Sequence, residues 1–139
     1  MKSIFNKSWR RSVKPRRQRK YVYNAPQHVK QKFLAANLSK ELRKEYGKRN
    51  YTLRNGDTVR VQRGKHKGKE GKVDFLHPKN GLVYIEGLEM NKGEGSKVRF
   101  SFRPSNLQIV ELNKKDKLRK EKLQALKDEK GVKEEKQND

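Results

Sequence analysis

The sequence predicts a mainly β protein, a small antiparallel barrel with a basic amino-terminal arm, short helices before it and a helical extension after it. Apolar residues alternate with polar ones only in the middle of the chain, which is typical of half-buried strands. Turns that contain glycine or proline separate the alternating runs. We therefore expect a basic arm at residues 1–22, a short helical lead-in at 23–50, the barrel at 51–112 and a charged helical tail at 113–139.

The amino-terminal arm carries arginine and lysine but no acid, since Glu41 is the first acidic residue of the chain. Its sequence WRRSVKPRRQRK predicts an extended segment that becomes ordered only on a partner. In the lead-in, Pro26 can occupy the first turn of a short helix. Ser39 can cap a second helix, KELRKEY, and Gly47 can end that helix in a left-handed conformation.

The barrel segment changes to a hydrophobic period of two from Arg54 onward, and five short strands are predicted. The residues expected to face the interior are Val59, Val61, Val73, Phe75, Val83, Ile85, Val98, Phe100, Phe102, Leu107 and Ile109. A closed barrel leaves the fewest open edges for such strands. After the barrel, Asn113 can cap a lysine-rich helix. Its apolar seam is only Leu118, Leu123 and Leu126, so that helix needs a surface to lie on.

The charge of the chain favours a polyanionic partner. Lysine and arginine number 38 against 16 acidic residues, so the formal net charge is 38 − 16 = +22 over 139 residues. Like-charge repulsion of this size destabilises a compact chain until a polyanion neutralises it, so nucleic acid is the first class of partner to consider. An anionic membrane surface is the second. No run approaches the roughly 18 apolar residues that span a bilayer, and no membrane insertion is expected.

The residue types that catalysis needs are scarce. No cysteine is present, which excludes disulfides and thiolate metal sites. The histidines are His28, His66 and His77, and no cluster suited to catalysis accompanies them. Asp57 is interpreted as a turn acceptor and Asp74 as a surface charge. We therefore expect neither an enzyme nor a bound metal or cofactor.

A glycine- and lysine-rich stretch follows the first predicted strand of the barrel, where residues 55–73 read NGDTVRVQRGKHKGKEGKV. Glycine allows positive φ and close approach of a ligand, and outward amides among lysines suit phosphate oxygens. An ordinary hairpin, with glycines for the turn and lysines for solubility, explains the same composition. The nucleotide-binding pattern GxxxxGK followed by Ser or Thr is not met. Gly64 and Gly68 are one residue too close, and Glu70 replaces the hydroxyl.

The order of residues in this stretch is Gly56-Asp57-x-Val59-x-Val61, then Gly64-x-x-x-Gly68-x-x-Gly71-Lys72-Val73. It resembles the KOW motif of ribosomal proteins and transcription elongation factors, which usually belongs to a small SH3-like barrel. Further stretches are NAPQH (24–28), LSKELR (38–43), VYIEG (83–87) and RPSN (103–106). From about residue 23 to 126, the chain resembles the large-subunit ribosomal protein family numbered twenty-four in the universal scheme and twenty-six in the older eukaryotic one, in its archaeal and eukaryotic form.

This resemblance implies a structural constituent of the large ribosomal subunit that binds large-subunit rRNA near the peptide exit tunnel and contributes to subunit assembly. It implies rRNA and neighbouring ribosomal proteins as partners, and no homo-oligomer. It also implies a place on cytoplasmic ribosomes, with a nucleolar stage of assembly if the source is eukaryotic. The alternative is a KOW-type transcription elongation module that binds RNA or polymerase. That alternative would need neighbouring KOW copies or a second domain.

The predicted RNA contacts combine the basic arm, the glycine- and lysine-rich stretch and two outlying residues. They are Arg10, Arg11, Lys14, Arg16, Arg17, Arg19, Lys20, His28, Arg63, Gly64, Lys65, His66, Lys67, Gly68, Lys69, Lys72 and Arg103. Trp9, Tyr21 and Tyr23 lie among basic residues. They can stack on exposed bases, and they can equally pack against the protein. For Tyr23, packing against the first helix of the lead-in is favoured.

Overall fold

The computed structural model describes residues 5–138, with side chains through residue 131. The first four residues of the predicted arm and the last residue of the predicted tail lie outside the described residues. The helices are α1 (Pro15–Asn24), α2 (Gln27–Phe33), α3 (Lys40–Tyr46) and α4 (Lys117–Asn138), with 3₁₀ turns at Lys7–Arg11 and Pro104–Asn106. The strands are β1 (Ala35–Leu38), β2 (Asn50–Thr52), β3 (Thr58–Val61), β4 (Glu70–His77), β5 (Leu82–Asn91), β6 (Lys97–Phe102) and β7 (Leu107–Glu111).

The strands pair in the order β2-β1-β7-β3-β4-β5-β6. Neighbouring strands are antiparallel except β1 and β7, which run parallel with Leu38 opposite Ile109. The prediction of a mainly β, SH3-like barrel with flanking helices is confirmed, although the sheet is mixed rather than wholly antiparallel. The sequence does not predict β1 and β2. Their segments, AANL and NYT, are too short to show a period of their own.

The core of the barrel comes mostly from the predicted alternation, and Val59 and Val83 are both 0% exposed. Phe75 is an exception, because its side chain is 47% exposed. The pairing of β4 with β5 shifts register between Val73 and Phe75. Such a bulge adds a residue on one strand, so the side chain that follows turns to the other face of the sheet.

Val98 is the second apolar residue wrongly assigned to the interior, since it is 37% exposed. The pairing of β5 with β6 is irregular between Tyr84 and Glu89. Val98 pairs with Met90 on the far side of that irregularity, and Met90 is 47% exposed. The end of this hairpin therefore continues the strand pattern without adding to the core.

Helix α3 begins and ends as the sequence predicts. Ser39 Oγ accepts a hydrogen bond from the backbone N–H of Leu42 at 3.3 Å, which satisfies one of the amides left free at a helix start. Gly47 has a φ of 62°, in the left-handed region, and its N–H donates to the carbonyl oxygen of Arg43. The helix places Tyr46 in the core, where it is 2% exposed.

The amino-terminal segment is helical from Pro15, where an extended arm was predicted. Proline in the first turn of α1 loses nothing, because its missing N–H would have no partner inside the helix. Gln18 Nε2 donates to the carbonyl oxygens of residues 9, 10 and 12 at 2.7–3.1 Å, which ties the preceding 3₁₀ turn to α1. The ring of Tyr21 packs on Phe5 and on Phe33, with centroids 5.3 and 6.0 Å apart. These contacts hold the segment against α2.

Helix α4 lies on the barrel through a buried ion pair. Arg119 Nη1 and Nη2 donate to Asp57 Oδ1 and Oδ2 at 2.6 and 2.9 Å, and the two side chains are 5% and 0% exposed. Asp57 also accepts the backbone N–H groups of Arg54 and Asn113, both at 2.8 Å. Arg119 donates in addition to the carbonyl oxygens of Thr52 and Asn113. Asp57 is thus a turn acceptor, as predicted. It is also the acid of a buried ion pair, which the sequence does not predict.

The first turn of α4 differs from the prediction in two ways. Leu123 is 3% exposed, as its place in the apolar seam requires, but Leu118 is 65% exposed because Arg119 takes the inward position. Asp116 Oδ1 accepts the N–H of Leu118 at 3.1 Å and caps the helix. The predicted cap, Asn113, instead accepts an N–H from the turn before the helix.

A second ion pair joins α4 to α3, where Lys127 Nζ donates to Glu45 Oε1. The hydrogen bond from Lys127 holds the pKa of the Glu45 carboxyl below its ordinary value, and the same bond raises the pKa of Lys127. The ammonium also lies 5.2 Å from the centre of the Tyr46 ring. Since both charged side chains are about a third exposed, at 37% and 35%, solvent screens much of their attraction.

We expect that Arg119→Met lowers the free energy of unfolding by roughly 3 kcal/mol, because removing one partner leaves a buried charge unpaired. Denaturation with guanidinium chloride, followed by circular dichroism, measures the change. The matched control is Glu70→Gln, which breaks the exposed ion pair with Arg60 and should cost about 1 kcal/mol or less. Equal effects of the two variants would contradict a structural role for the buried pair.

The Glu45–Lys127 pair should make stability depend on pH in acid. A carboxyl whose pKa is lowered by folding contributes stability above its unfolded value, near 4.5, and loses that stability as pH falls through the folded pKa. Unfolding midpoints of the wild type and of Glu45→Gln should therefore differ slightly near pH 7 and converge as pH approaches 3. A difference that grows in acid would have the wrong sign.

Candidate nucleic-acid interface

The glycine- and lysine-rich stretch forms a closed loop between β3 and β4, here called the Gly/Lys loop and comprising residues 62–69. Its base is closed by two backbone hydrogen bonds, from Val61 N to Lys69 O at 2.9 Å and from Gly68 N to Val61 O at 2.8 Å. Gly64 and Gly68 have φ values of 89° and 85°, which other residues rarely adopt. The two glycines therefore allow the chain to turn twice within a few residues.

The backbone amides at the end of the loop are bonded within the loop and to its base, which corrects the expectation that they turn outward to a ligand. The N–H groups of Lys67, Gly68 and Lys69 donate to the carbonyl oxygens of Gly64, Val61 and His66 at 2.8–3.1 Å. These three donors are therefore already used. A phosphate bound at this end of the loop would be held by side chains, not by a cradle of amides.

The outer surface of the Gly/Lys loop is open and positively charged. A Cβ atom added at Gly64 or at Gly68 would meet no protein atom within 4 Å, so each glycine lies bare at the surface. The surrounding basic side chains are all exposed, and they are Arg63, Lys65, Lys67 and Lys69. The neighbouring acid, Glu70, accepts a hydrogen bond from Arg60 Nε at 2.6 Å. Because Glu70 is paired with Arg60, it does not neutralise the positive charge that the lysines of the loop present to solvent.

His66 lies beneath the loop rather than on its outer surface. The side chain is 9% exposed, and its ring centre lies 4.9 Å from that of Phe100 and 5.9 Å from that of Phe102. The ring thus has a packing role, because it supports the loop from the barrel side, and its contact with RNA stays a prediction. The sequence does not indicate this packing role, because lysines on both sides of His66 make the whole stretch look exposed to solvent.

Arg103 belongs to the same surface as the Gly/Lys loop. It follows Phe102, which packs under the loop, and its side chain is exposed. Its carbonyl oxygen accepts the N–H of Asn106, whose own carbonyl accepts the N–H of Gln62 at 2.8 Å. The turn after β6 is thus bonded to the start of the loop, so the structure links Arg103 to the Gly/Lys loop although the two are far apart in the sequence.

Lys72 has a different setting from the loop, because it lies on β4 opposite Thr58. Its side chain is exposed, and the preceding Gly71 serves packing, since a Cβ there would lie 2.6 Å from Ile85 Cγ2. His28 is exposed on α2. Neither residue is bonded to the loop.

The predicted contacts of the arm are carried by the 3₁₀ turn, α1 and the residues between them. The exposed ones are Arg10, Arg11, Lys14, Arg16, Arg17 and Arg19. Lys20 is half-buried, with its ammonium 5.4 Å from the centre of the Trp9 ring. Tyr21, for which stacking and packing were both open, packs within the protein. Tyr23, which was expected to pack, is instead 82% exposed. The different settings of the two tyrosines follow from α1, because residues two apart in a helix lie on opposite sides of it.

Two other kinds of site have no counterpart in residues 5–138. No group of three histidine or acidic side chains is placed to hold a metal ion. No helix in that range has the length and the apolar character needed to cross a bilayer.

Together, the small barrel and the Gly/Lys loop define a KOW-type protein with an SH3-like fold. A family model that describes the eukaryotic ribosomal proteins L26 and their archaeal counterparts numbered twenty-four matches residues 12–125. The chain belongs to this ribosomal protein family, which confirms the resemblance drawn from the motifs and extends it toward the amino terminus, into the basic segment. Family membership implies a structural rather than an enzymatic role.

Archaeal relatives match over most of their length. The chain is 46% identical over 108 residues to the large ribosomal subunit protein uL24 of Methanosarcina barkeri, covering 78% of this chain and 93% of the relative. It is 46% identical over 112 residues to the uL24 of Methanoculleus marisnigri, covering 81% and 93%. With the uL24 of Nanoarchaeum equitans it shares 44% over 121 residues, covering 87% and 81%.

We expect Gly68→Val to destabilise the protein by roughly 1–3 kcal/mol, because a β-branched residue is strained at positive φ. Gly68→Asn should cost about 1 kcal/mol or less, since asparagine tolerates this conformation. The control Lys67→Val places the same side chain at the preceding residue, where φ is negative. Its free energy of unfolding should stay within about 0.5 kcal/mol of the wild-type value. Thermal melts by circular dichroism separate these cases. A Gly68→Val protein that melts like the wild type would show that this position does not require glycine.

Proposed function

We propose that this chain is a structural constituent of the large ribosomal subunit and that it binds large-subunit rRNA through phosphate contacts. The observation that carries the proposal is the Gly/Lys loop, a bare glycine surface surrounded by exposed cations on the barrel of a ribosomal family member. The resemblance to that family supports a position near the peptide exit tunnel and a part in subunit assembly.

The distribution of ion pairs supports a polyanionic partner. The ion pairs of the described residues engage Arg60, Arg99, Arg119 and Lys127. None of these four belongs to the predicted contact set, so no cation of that set is paired with an acid of the described residues. With a net charge of +22, repulsion among the unpaired cations is relieved only when an external anion approaches them.

The geometry of the loop suits structured RNA better than a free nucleotide. Lysine side chains act as mobile point charges that can follow the spacing of phosphates along a backbone. The bare glycines let a sugar-phosphate backbone approach without meeting a Cβ atom. Folded RNA is recognised largely by its shape and its phosphates, which such a surface can contact without reading bases.

The partners and the location follow from the same proposal. The relatives are named as large ribosomal subunit proteins, so we assign this chain rRNA and neighbouring ribosomal proteins as partners and the cytoplasmic ribosome as its location. Their archaeal sources favour a cell without a nucleolus, and the nucleolar stage of assembly is not part of the proposal. The family match also favours this function over a transcription elongation module.

Phosphate-dominated binding predicts a steep response to salt. If six to ten phosphates are contacted, the affinity for an rRNA fragment should fall by about 10³ to 10⁵ between 50 and 200 mM salt. Replacing Lys65, Lys67 and Lys69 together by alanine should reduce the slope of log affinity against log salt by up to about three. Filter binding at several salt concentrations measures both quantities.

The matched control removes the same charge from another surface, by replacing Lys40, Lys44 and Lys48, which lie on α3 and just after it and are exposed. Its slope should change less than that of the loop variant. Identical slopes for the two triple variants would mean that total charge, and not the loop, drives binding. A wild-type affinity that does not respond to salt would rule out the proposal.

A further inference from the structure

Tyr23 presents its ring to solvent at the end of α1. Its side chain is 82% exposed, and that of the adjacent Val22 is 53% exposed. Arg19 lies one turn earlier and therefore shares the face of the helix that carries Tyr23. In contrast, Tyr21 lies on the opposite side and packs between Phe5 and Phe33. The exposure of Tyr23 is therefore a property of one face of α1 and does not reflect a loose segment.

This face of α1 forms one wall of an open cleft of about 740 Å³. The other walls come from Lys30 on α2 and from Lys79 and Asn80 in the turn between β4 and β5. Elements from three parts of the chain thus meet around the tyrosine ring. The lining residues are Gln18, Arg19, Val22, Tyr23, Lys30, Lys79 and Asn80.

The charge of the cleft has one sign. Arg19, Lys30 and Lys79 line it, and no acidic residue does. None of the three cations forms an ion pair within the described part of the chain. The cleft therefore combines a flat aromatic surface with three positive charges around it. A ligand that fits it carries a flat, weakly polar ring with negative charge on either side.

We propose that this cleft binds one unpaired nucleotide of RNA, whose base stacks on Tyr23 while Arg19, Lys30 and Lys79 neutralise the flanking phosphates. An unpaired base is required, because a base within a duplex has both faces covered by its neighbours. A side chain of a neighbouring protein could also cover the ring, but an uncompensated set of three cations favours a nucleotide. This inference rests on the proposed function, since it assigns a second contact surface to the same RNA partner.

The test compares Tyr23→Leu with Tyr23→Phe, using the rRNA fragment that the wild-type protein binds. Stacking of a base on an aromatic ring corresponds to roughly 5- to 150-fold in affinity, so Tyr23→Leu should weaken binding by a factor in this range. Tyr23→Phe keeps the ring and should weaken binding less. Because the side chain is exposed, both variants should melt like the wild type. Phe75→Leu, at an aromatic residue 47% exposed elsewhere, is the matched control and should not weaken binding.

Ultraviolet crosslinking supplies an independent readout. Irradiation of the wild-type complex, followed by mass spectrometry, should attach a nucleotide to the peptide that contains Tyr23. Unchanged affinity of Tyr23→Leu together with no crosslink at this peptide would overturn the inference. So would normal RNA binding by Tyr23→Leu with impaired entry into reconstituted subunits, which would show a protein contact. A wild-type protein that does not bind the RNA would instead overturn the proposed function itself.

Discussion

Asp57 lies where the turn before β3, the residues after β7 and the first turn of α4 meet, and its carboxylate accepts hydrogen bonds from all three. A carboxylate with no exposure is costly to bury unless it is paired, and Arg119 and two backbone amides supply the partners. The two charged residues are 62 positions apart in the chain. Their bond therefore sets where α4 lies, and α4 in turn brings Lys127 to Glu45 on α3. Barrel and carboxy-terminal helix are one unit through this junction.

The small number of acidic residues also explains why the surface of the protein carries unpaired positive charge. Acidic residues number 16 against 38 basic ones. The ion pairs of the described residues join four of these acids to cations outside the candidate interface. The Gly/Lys loop, the face of α1 and Arg103 are left with positive charge that forms no ion pair with an acid of the described residues. The fold thereby separates a neutral core from cations that are free to meet phosphate. Since the loop is closed by its own hydrogen bonds and supported by His66, those cations are presented by a defined surface.

Features that depend on neighbouring residues could be predicted from the sequence, and features that depend on distant ones could not. The cap at Ser39 and the left-handed end at Gly47 are local, and both are found as predicted. Phe75 was misplaced because a bulge changes the face of a strand without changing its hydrophobic pattern. The buried place of Arg119 depends on an acid far away in the chain, and no local pattern announces it. Within the candidate site, the exposed lysines were predicted, but the packing of His66 was not.

The central claim is that the unpaired cations of the Gly/Lys loop are an rRNA-binding surface, and a cryo-electron microscopy structure of the large ribosomal subunit that contains this chain tests it most directly. The account predicts that Nζ atoms of Lys65, Lys67 and Lys69 lie within about 4 Å of phosphate oxygens, as in an ion pair. It also predicts that Gly64 and Gly68 face the sugar-phosphate backbone. A loop that faces open solvent, or that is covered by another protein, would contradict the account.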